Sequence, residues 1–532
     1  MNNSTGTRKS EDPGGRGQGG GKRAGVALAS GIVIAASLVV ALTELLREGA
    51  VASQFGATRA TDIFAAMWIL PSLAYAASVY IGKMALVPLV TESLARGEER
   101  SIHDLRGLLG VALIAAVGLG GLLSWVAYPV AGVLAPGLEP EARLVAGACL
   151  RLFGPYLSCG LLASIFGSVL QARRRFAVSS GSGVVPNLCV MVAALISTDI
   201  RSLCIGFSVG SALQVLVLWG ACWHDGIRLF PRAVWPAGFM RAFARIAWAP
   251  CVLVLMRNLA PVVDRMCTSF LGEGAVAQLN YSYRLVIGAR VLVAGTAFTV
   301  SIPFLAALHA RGDTEAIRRM VQVSVRAVVL IMAPLTAGLW VFGPELVGVL
   351  LMRGEFGPQA AQVTGHLLAI LALTLLPESL MALLSAPYYA RQEPTVPLKV
   401  TMVVWPLHLV VVWPMARYFG LAGVAWTAVA ISTATAILMG RRLRRDSLRP
   451  HFGREGGRDL FAAMAGAIVL IVVALTLQRG GQVASLADDL SSRLINMAGL
   501  VVGLGLVYLG TVVALTRRSP RAFLELIRGR TP

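Results

Sequence analysis

Apolar segments of about twenty residues, the length of helix that spans the hydrocarbon of a bilayer, follow one another almost without a gap from position 25 to position 515. Within a bilayer the backbone must satisfy its own hydrogen bonds, so only helices or a closed barrel can cross it. These runs are evenly apolar and lack the alternation of a barrel strand. The sequence therefore predicts an all-α polytopic membrane protein. About fourteen transmembrane helices are expected, over 25–46, 62–91, 107–134, 144–170, 178–198, 202–223, 240–271, 276–307, 320–351, 359–389, 396–416, 419–440, 459–477 and 494–515. Lys22 and Arg23 precede the first as they would a signal peptide, but its apolar stretch is longer than the usual h-region, and an uncleaved helix is expected.

Of the residues, 56% are hydrophobic and only 14% charged, against about 25% charged in a soluble domain. The formal charge of +20 does not point to nucleic acid, which needs a basic face on a soluble domain; here the polar stretches are short loops and tails. The charge is topological instead. With the N-terminus in the cytoplasm, the inner loops carry roughly four Lys/Arg for each one outside, and both termini lie inside. The seven cysteines (149, 159, 189, 204, 222, 251, 267) fall in apolar segments without a CxxC pair and read as small buried hydrophobes. No cofactor or metal is expected.

The chain repeats itself at a spacing of about 215 residues, with both copies in the same orientation, as in transporters built from parallel repeats. "VPLVTESLARGEERSIHDLR" (87–106) answers "IPFLAALHARGDTEAIRRMV" (302–321), and "WVAYPVAGVLAPG" (125–137) answers "WVFGPELVGVLLMRG" (340–354). "QARRRFAVSSGSGVVP" (171–186) matches the placing of "YYARQEPTVPLKV" (388–400). The expected organisation is a disordered tail (1–24), two six-helix lobes (25–224 and 240–445), helices 13 and 14 (458–516) and a basic cytoplasmic tail (517–532). Two such lobes leave a cleft between them and can rock against each other. Pro71, Pro88, Pro155, Pro261, Pro303, Pro334 and Pro377 each remove a helix hydrogen bond and favour a kink.

Basic residues inside the spans need a reason, since each costs about 2.5–3.5 kcal/mol at the bilayer centre on insertion scales. Lys83 and Arg326 can snorkel to one interface, and Arg151 and Arg265 to the other. Arg257, Arg284 and Arg290 are deeper, and Asp264 is the one close acid in their lobe. It can neutralise one neighbour, Arg265 or Arg257. One of Arg284 and Arg290 is then left to face the cleft, where a guanidinium fork suits a phosphate. Glu378 reads equally as a packing residue or as a cation or proton site. His366 and His408 lie on helices with no matched partner and read as packing residues.

"FGATRATDIFAAMWILPSLAYAA", "LVPLVTESLARGEE", "LNYSYRLVIGARVLVAGTAFTVSIPFLAALHARGD" and "LLMRGEFGPQAAQVTGHLLAILALTLLPESLMALLSAPYYARQEPTVPLKV" together resemble the MurJ/MviN family of lipid II flippases, within the multidrug/oligosaccharidyl-lipid/polysaccharide exporter superfamily. The resemblance implies export of an undecaprenyl-diphosphate-linked saccharide across the bacterial inner membrane by alternating access, by a monomer whose partners are the lipid-linked saccharide and membrane lipids. It implies that Arg47, Arg284 and Asp62 match family positions, with Arg290, Arg257 and Lys83 as further diphosphate contacts and Asp62, Asp264 and Glu378 as coupling or structural acids. It also implies a groove for the polyprenyl tail at helices 13 and 14. The chain departs from the family's second helix, which usually carries an arginine pair where Tyr75 and Ala76 stand here, and that leaves room for another lipid-linked polysaccharide unit as cargo. A drug/cation antiporter of the same superfamily calls for deep carboxylates, of which only Asp264 and Glu378 qualify. A membrane enzyme calls for acid/base groups gathered at one face, and the acidic pair Asp488 and Asp489 sits in a polar loop.

Overall fold

The computed structural model describes residues 18–446, 454–479 and 490–516, apart from positions 97, 229, 233, 234, 236, 311, 392 and 394. All regular structure among them is helical: α1 (Gln18–Phe55), α2 (Arg59–Ile81), a π-helical turn (Gly82–Leu86), α3 (Val87–Arg96), α4 (Glu98–Trp125), α5 (Ala127–Leu134), α6 (Pro140–Leu152), α7 (Gly154–Ala172), α8 (Phe176–Gly181), α9 (Val184–Ile196), α10 (Arg201–His224), α11 (Ala237–Thr268), α12 (Ala275–Ala310), α13 (Thr314–Leu351), α14 (Pro358–Ala372), α15 (Leu375–Ala390), α16 (Thr395–Arg445), α17 (Arg454–Arg479) and α18 (Leu490–Thr516).

Ten helical stretches of the described residues are long and apolar enough to cross a membrane. The first, seventh and eighth predicted spans correspond to α1, α11 and α12, which lie outside those ten although they run for 38, 32 and 36 residues. The eleventh and twelfth are the two arms of α16, which turns at Gly420 with φ 60° and ψ −143°, a conformation open to glycine for want of a Cβ. Helix α1 starts at Gln18, inside the stretch predicted as a tail. Once a span has nucleated, each further residue adds a hydrogen bond at little cost, so the helix extends into polar sequence. Residues 1–17 and 517–532, and the Asp488–Asp489 loop, lie outside the described residues.

The sequence repeat reappears as matched breaks. "WVAYP" opens at Val126 (φ −88°, ψ 10°), between α4 and α5; "WVFGP" opens at Phe342 (φ −101°, ψ 18°), within α13. In each motif a proline follows two or three residues on, and its ring cannot accept the preceding regular turn. Likewise α6 and α7 part at Phe153 just before Pro155, and α14 and α15 part at Leu373 and Thr374 before Pro377. The π-helical turn ends just before Pro88, which takes the i−4 hydrogen bond from Met84 and favours a wider turn. Pro71 and Pro334 are accommodated inside continuous helices.

Buried apolar residues form three clusters. One takes almost all its members from residues 267–512 and includes α17 and α18. The others come from 51–276 and 86–227. The last two helices are pinned to α13 along its length: Tyr508 Oη donates to Leu330 O at 2.9 Å, and Gln478 Nε2 donates to Val341 O and Glu345 Oε1 at 3.1 and 2.8 Å. Their other faces expose Phe461, Met464, Ile468, Val472, Val501, Val502 and Leu506. Such an apolar surface belongs against lipid tails rather than water.

Candidate functional site

Glu44, Arg47 and Glu48 share one face of α1, being three and four residues apart. Arg284 comes to them from α12, 240 residues on, with Nη1 2.5 Å from Glu44 Oε1 and Nε 3.6 Å from Glu48 Oε1. Arg47 binds the same carboxylates, with Nη2 2.5 Å from Glu48 Oε1 and 3.6 Å from Glu44 Oε1. Its Nη1 donates to Asn187 Oδ1 of α9 at 2.7 Å, and its guanidinium carbon lies 5.0 Å from the centroid of Phe207. By the rise per residue, Glu44 is about 16 Å from the C-terminal end of α1 and Arg284 about 14 Å from the start of α12, about half the thickness of a bilayer's hydrocarbon from those helix ends. Arg47 and Glu48 are buried, with side chains 5% and 9% exposed, whereas Arg284 and Glu44 retain 23% and 38%. The four charges cancel, and the open side of the cluster is an arginine and a carboxylate that water can reach.

Arg290, about 9 Å further along α12, forms an ion pair with Glu378 of α15, both partly exposed. The sequence predicts that one of Arg284 and Arg290 lacks a carboxylate. Instead each faces one, because the partners come from α1 and α15, beyond the lobe neighbours that a linear reading can reach. Lys83 is exposed on the π-helical turn, and that turn packs against α11. The side chain of Arg257 lies outside the described residues.

Asp264 gives its carboxylate oxygens to neither Arg265 nor the cluster. Its Oδ1 lies 2.9 Å from His408 Nε2 on α16, and its Oδ2 accepts from Tyr283 Oη at 3.0 Å. His408, predicted to be a packing residue without a partner, thus has one. Arg265 turns to Asn280 Oδ1 and Pro261 O at 2.8 and 3.2 Å; it is buried rather than snorkelling. Arg326, also read as snorkelling, is buried 3.5 Å from Asp459 of α17.

One end of the bundle, where α1 turns into α2, is sealed across the two halves of the chain. Asp62, buried at the start of α2, accepts from Gly274 N at 2.6 Å and from Ala277 N at 2.8 Å, and so caps the N-terminus of α12. Thr58 holds the N-cap position of α2, and Thr61 Oγ1 accepts from its backbone N–H at 2.9 Å. Arg59 N donates to Glu273 Oε1 at 2.9 Å, Glu355 N to Ser53 O at 2.9 Å, and Gly137 N to Ser269 Oγ at 3.1 Å. The backbones touch: a Cβ on Gly274 (φ +79°) would lie 2.4 Å from Ala57 O.

The arginines were findable by their rarity in apolar segments, whereas Glu44, Glu48, Asn187 and Phe207 were missed. The one signal for the first pair was "TELLREGA", an i, i+3, i+4 set of charges near the end of an otherwise apolar helix. Two guanidiniums from opposite halves, bridged by carboxylates and open on one side, can exchange those carboxylates for another doubly charged oxyanion.

A family model described as lipid II flippase MurJ matches residues 51–488. A probable lipid II flippase MurJ of Vibrio cholerae serotype O1 is 26% identical over 504 residues, covering 88% of this chain and 92% of that protein. Among solved structures, a lipid II flippase MurJ in an inward closed conformation superposes with a TM-score of 0.76 at 17% identity, over 91% of this chain and 98% of that one. An inward-facing multidrug resistance MATE family transporter of the MOP superfamily gives a TM-score of 0.58 at 16% identity, over 79% and 94%, a likeness of fold.

Proposed function

The chain belongs to the lipid II flippase MurJ family, and from that footing we propose that it moves lipid II, an undecaprenyl-diphosphate-linked saccharide, from the inner to the outer leaflet of the bacterial cytoplasmic membrane by alternating access. One observation carries the reading: Arg47 and Arg284, brought from the two halves of the chain, meet around carboxylates that a diphosphate can replace. Each guanidinium presents a planar fork that grips phosphate oxygens at two points. With no cargo, Glu44 and Glu48 hold the arginines and spare the membrane an unbalanced charge. With cargo, the diphosphate takes their place on the open side, and the exposed Lys83 supplies a further basic contact, while Arg290 stays paired with Glu378. The Lys/Arg asymmetry of the loops supports an orientation with both termini in the cytoplasm. The sealed end is then the outer one, and Asp62 is its latch. The exposed apolar faces of α17 and α18 suit the polyprenyl tail, and one chain supplies every group named, as a monomer requires.

A cation antiporter is disfavoured, because the two deep carboxylates that would take a cation are engaged: Asp264 by His408 and Tyr283, Glu378 by Arg290. The test is reconstitution with lipid II in sealed vesicles, with outer-leaflet exposure read by an enzyme that acts from outside. Arg284→Glu sets three carboxylates together; it is expected to abolish flipping and growth of a flippase-depleted strain while the protein still reaches the membrane. Flipping by Arg284→Glu at the wild-type rate overturns the assignment.

A further inference from the structure

Tyr75, one of the positions at which this chain departs from the family's second helix, lies half-buried on α2 with its ring against α7, where a Cβ on Gly160 would come within 2.8 Å of Cδ2. Its hydroxyl accepts from Gln214 Nε2 of α10 at 3.3 Å, and the same amide nitrogen donates to Ser182 Oγ, between α8 and α9, at 3.1 Å. Gln214 and Ser182 are 3% and 6% exposed. Both protons of the amide are thereby used, and Ser182 fixes which way the amide faces. The Tyr75 O–H and Gln214 Oε1 have no partner among the described residues, which leaves one donor and one acceptor side by side. A buried amide oxygen without a donor costs free energy that a ligand group recovers.

The pair sits beside the arginine cluster. The ring centroids of Tyr75 and Tyr156 are 5.8 Å apart, those of Tyr156 and Phe207 5.6 Å, and the Arg47 guanidinium carbon lies 5.0 Å from the Phe207 centroid. By the rise per residue, Tyr75 is about 24 Å and Arg47 about 12 Å from the turn that joins α1 to α2. Helix side chains lean toward the N-terminus of their own helix, so Arg47 leans away from that turn, Tyr75 leans toward it, and the two close on each other. A group carried next to a diphosphate on Arg47 and Arg284 therefore meets Tyr75 and Gln214. The pair carries no charge, and what it complements is a neutral group with an acceptor and a donor close together. A secondary amide is such a group: its carbonyl accepts from the Tyr75 O–H and its N–H donates to Gln214 Oε1. We propose that Tyr75 and Gln214 form a specificity subsite that reads the acetamido group of the sugar next to the diphosphate. The placing of that sugar rests on the lipid II reading.

The test is the binding of three lipids to full-length protein in detergent, read by native mass spectrometry: undecaprenyl diphosphate, the same lipid carrying glucose, and the same lipid carrying N-acetylglucosamine. Two neutral hydrogen bonds are expected to favour the N-acetylglucosamine lipid over the other two by about tenfold in wild type. Tyr75→Phe keeps the ring on Gly160 and removes only the hydroxyl. It and Gln214→Leu are each expected to lose most of that preference, with undecaprenyl diphosphate bound as in wild type and circular dichroism unchanged. Equal binding of the glucose and N-acetylglucosamine lipids by wild type overturns the acetamido subsite, and so does a full preference retained in Tyr75→Phe. Arg284→Ala is the control for the diphosphate and should weaken all three lipids alike. If undecaprenyl diphosphate binds wild type no better than Arg284→Ala, the diphosphate reading falls, while the preference between the two sugar lipids still decides the subsite.

Discussion

Replacing Asp62 with asparagine should open the sealed end of the molecule, where α1 turns into α2. The Asp62 carboxylate is buried and holds two backbone N–H groups at the start of α12, Gly274 at 2.6 Å and Ala277 at 2.8 Å. Asparagine has one carbonyl oxygen, and its NH₂ group would point at the second backbone donor. One hydrogen bond is then lost and the other loses its charge. A hydrogen bond to a charged group contributes about 1.5–3 kcal/mol, and a buried donor left unsatisfied costs about 1–3 kcal/mol, so the closed end is weakened by about 3 kcal/mol. At 1.4 kcal/mol per tenfold, that raises the ratio of molecules open at this end to molecules closed there roughly a hundredfold. The readout is double electron–electron resonance between spin labels at Arg201→Cys and Gln359→Cys, two exposed sites at the N-terminal ends of α10 and α14, with the native cysteines replaced. The distance distribution should broaden toward longer values in Asp62→Asn. An unchanged distribution in a folded variant would mean that the bonds persist in both states, and that Asp62 is a static cap and no latch.

Two other substitutions follow from the packing. Arg290→Glu sets two carboxylates against each other between α12 and α15 and should lower growth of a flippase-depleted strain, while the swap Arg290→Glu with Glu378→Arg restores the pair; if the swap rescues nothing, Arg290 acts on the cargo and not through Glu378. Gly456→Ala places a Cβ 2.1 Å from Arg326 Nη2, and pushing that guanidinium off Asp459 should lower stability by about 1–3 kcal/mol, seen as a lower melting temperature in detergent.

Helices were legible because lipid forbids unsatisfied backbone, so apolar length alone predicts them. The breaks at Val126 and Phe342 were legible for a different reason: proline acts on its own preceding turn, and the "WV" and proline placings recur in both halves. Ion-pair partners are not local in that way. Glu44 and Arg284 are 240 residues apart, and Asp264 and His408 are 144 apart, so nothing in the spacing along one helix connects them. Asp62 is the intermediate case. The "GEGA" turn ahead of α12, with Gly272 and Gly274 at positive φ, marks a helix start in need of an acceptor, yet which acid supplies it depends on how the two halves meet.

The self-pairing of the arginines bears on the driving force. Two unbalanced guanidiniums would be neutralised by a diphosphate on the loaded stroke, and the membrane field would not drive that stroke. Here Glu44 and Glu48 cancel Arg47 and Arg284, so the empty site crosses the field with no net charge. A bound diphosphate adds about two negative charges, and at about 2.3 kcal/mol per charge per 100 mV an interior-negative potential favours outward movement of the loaded site by up to about 5 kcal/mol. The loaded stroke is thus driven and the empty return is not opposed. In vesicles at equal pH on both sides, a potassium diffusion potential negative on the side of lipid II supply should speed flipping, and reversing its sign should slow it. Glu44→Gln with Glu48→Gln leaves the empty site with two positive charges and the loaded site with none, so the same potential no longer drives the loaded stroke and acts on the return instead, and the stimulation of a rate set by the loaded stroke should shrink. A response to potential that is identical in wild type and in that double variant would refute the argument that charge cancellation at this site sets the direction of transport.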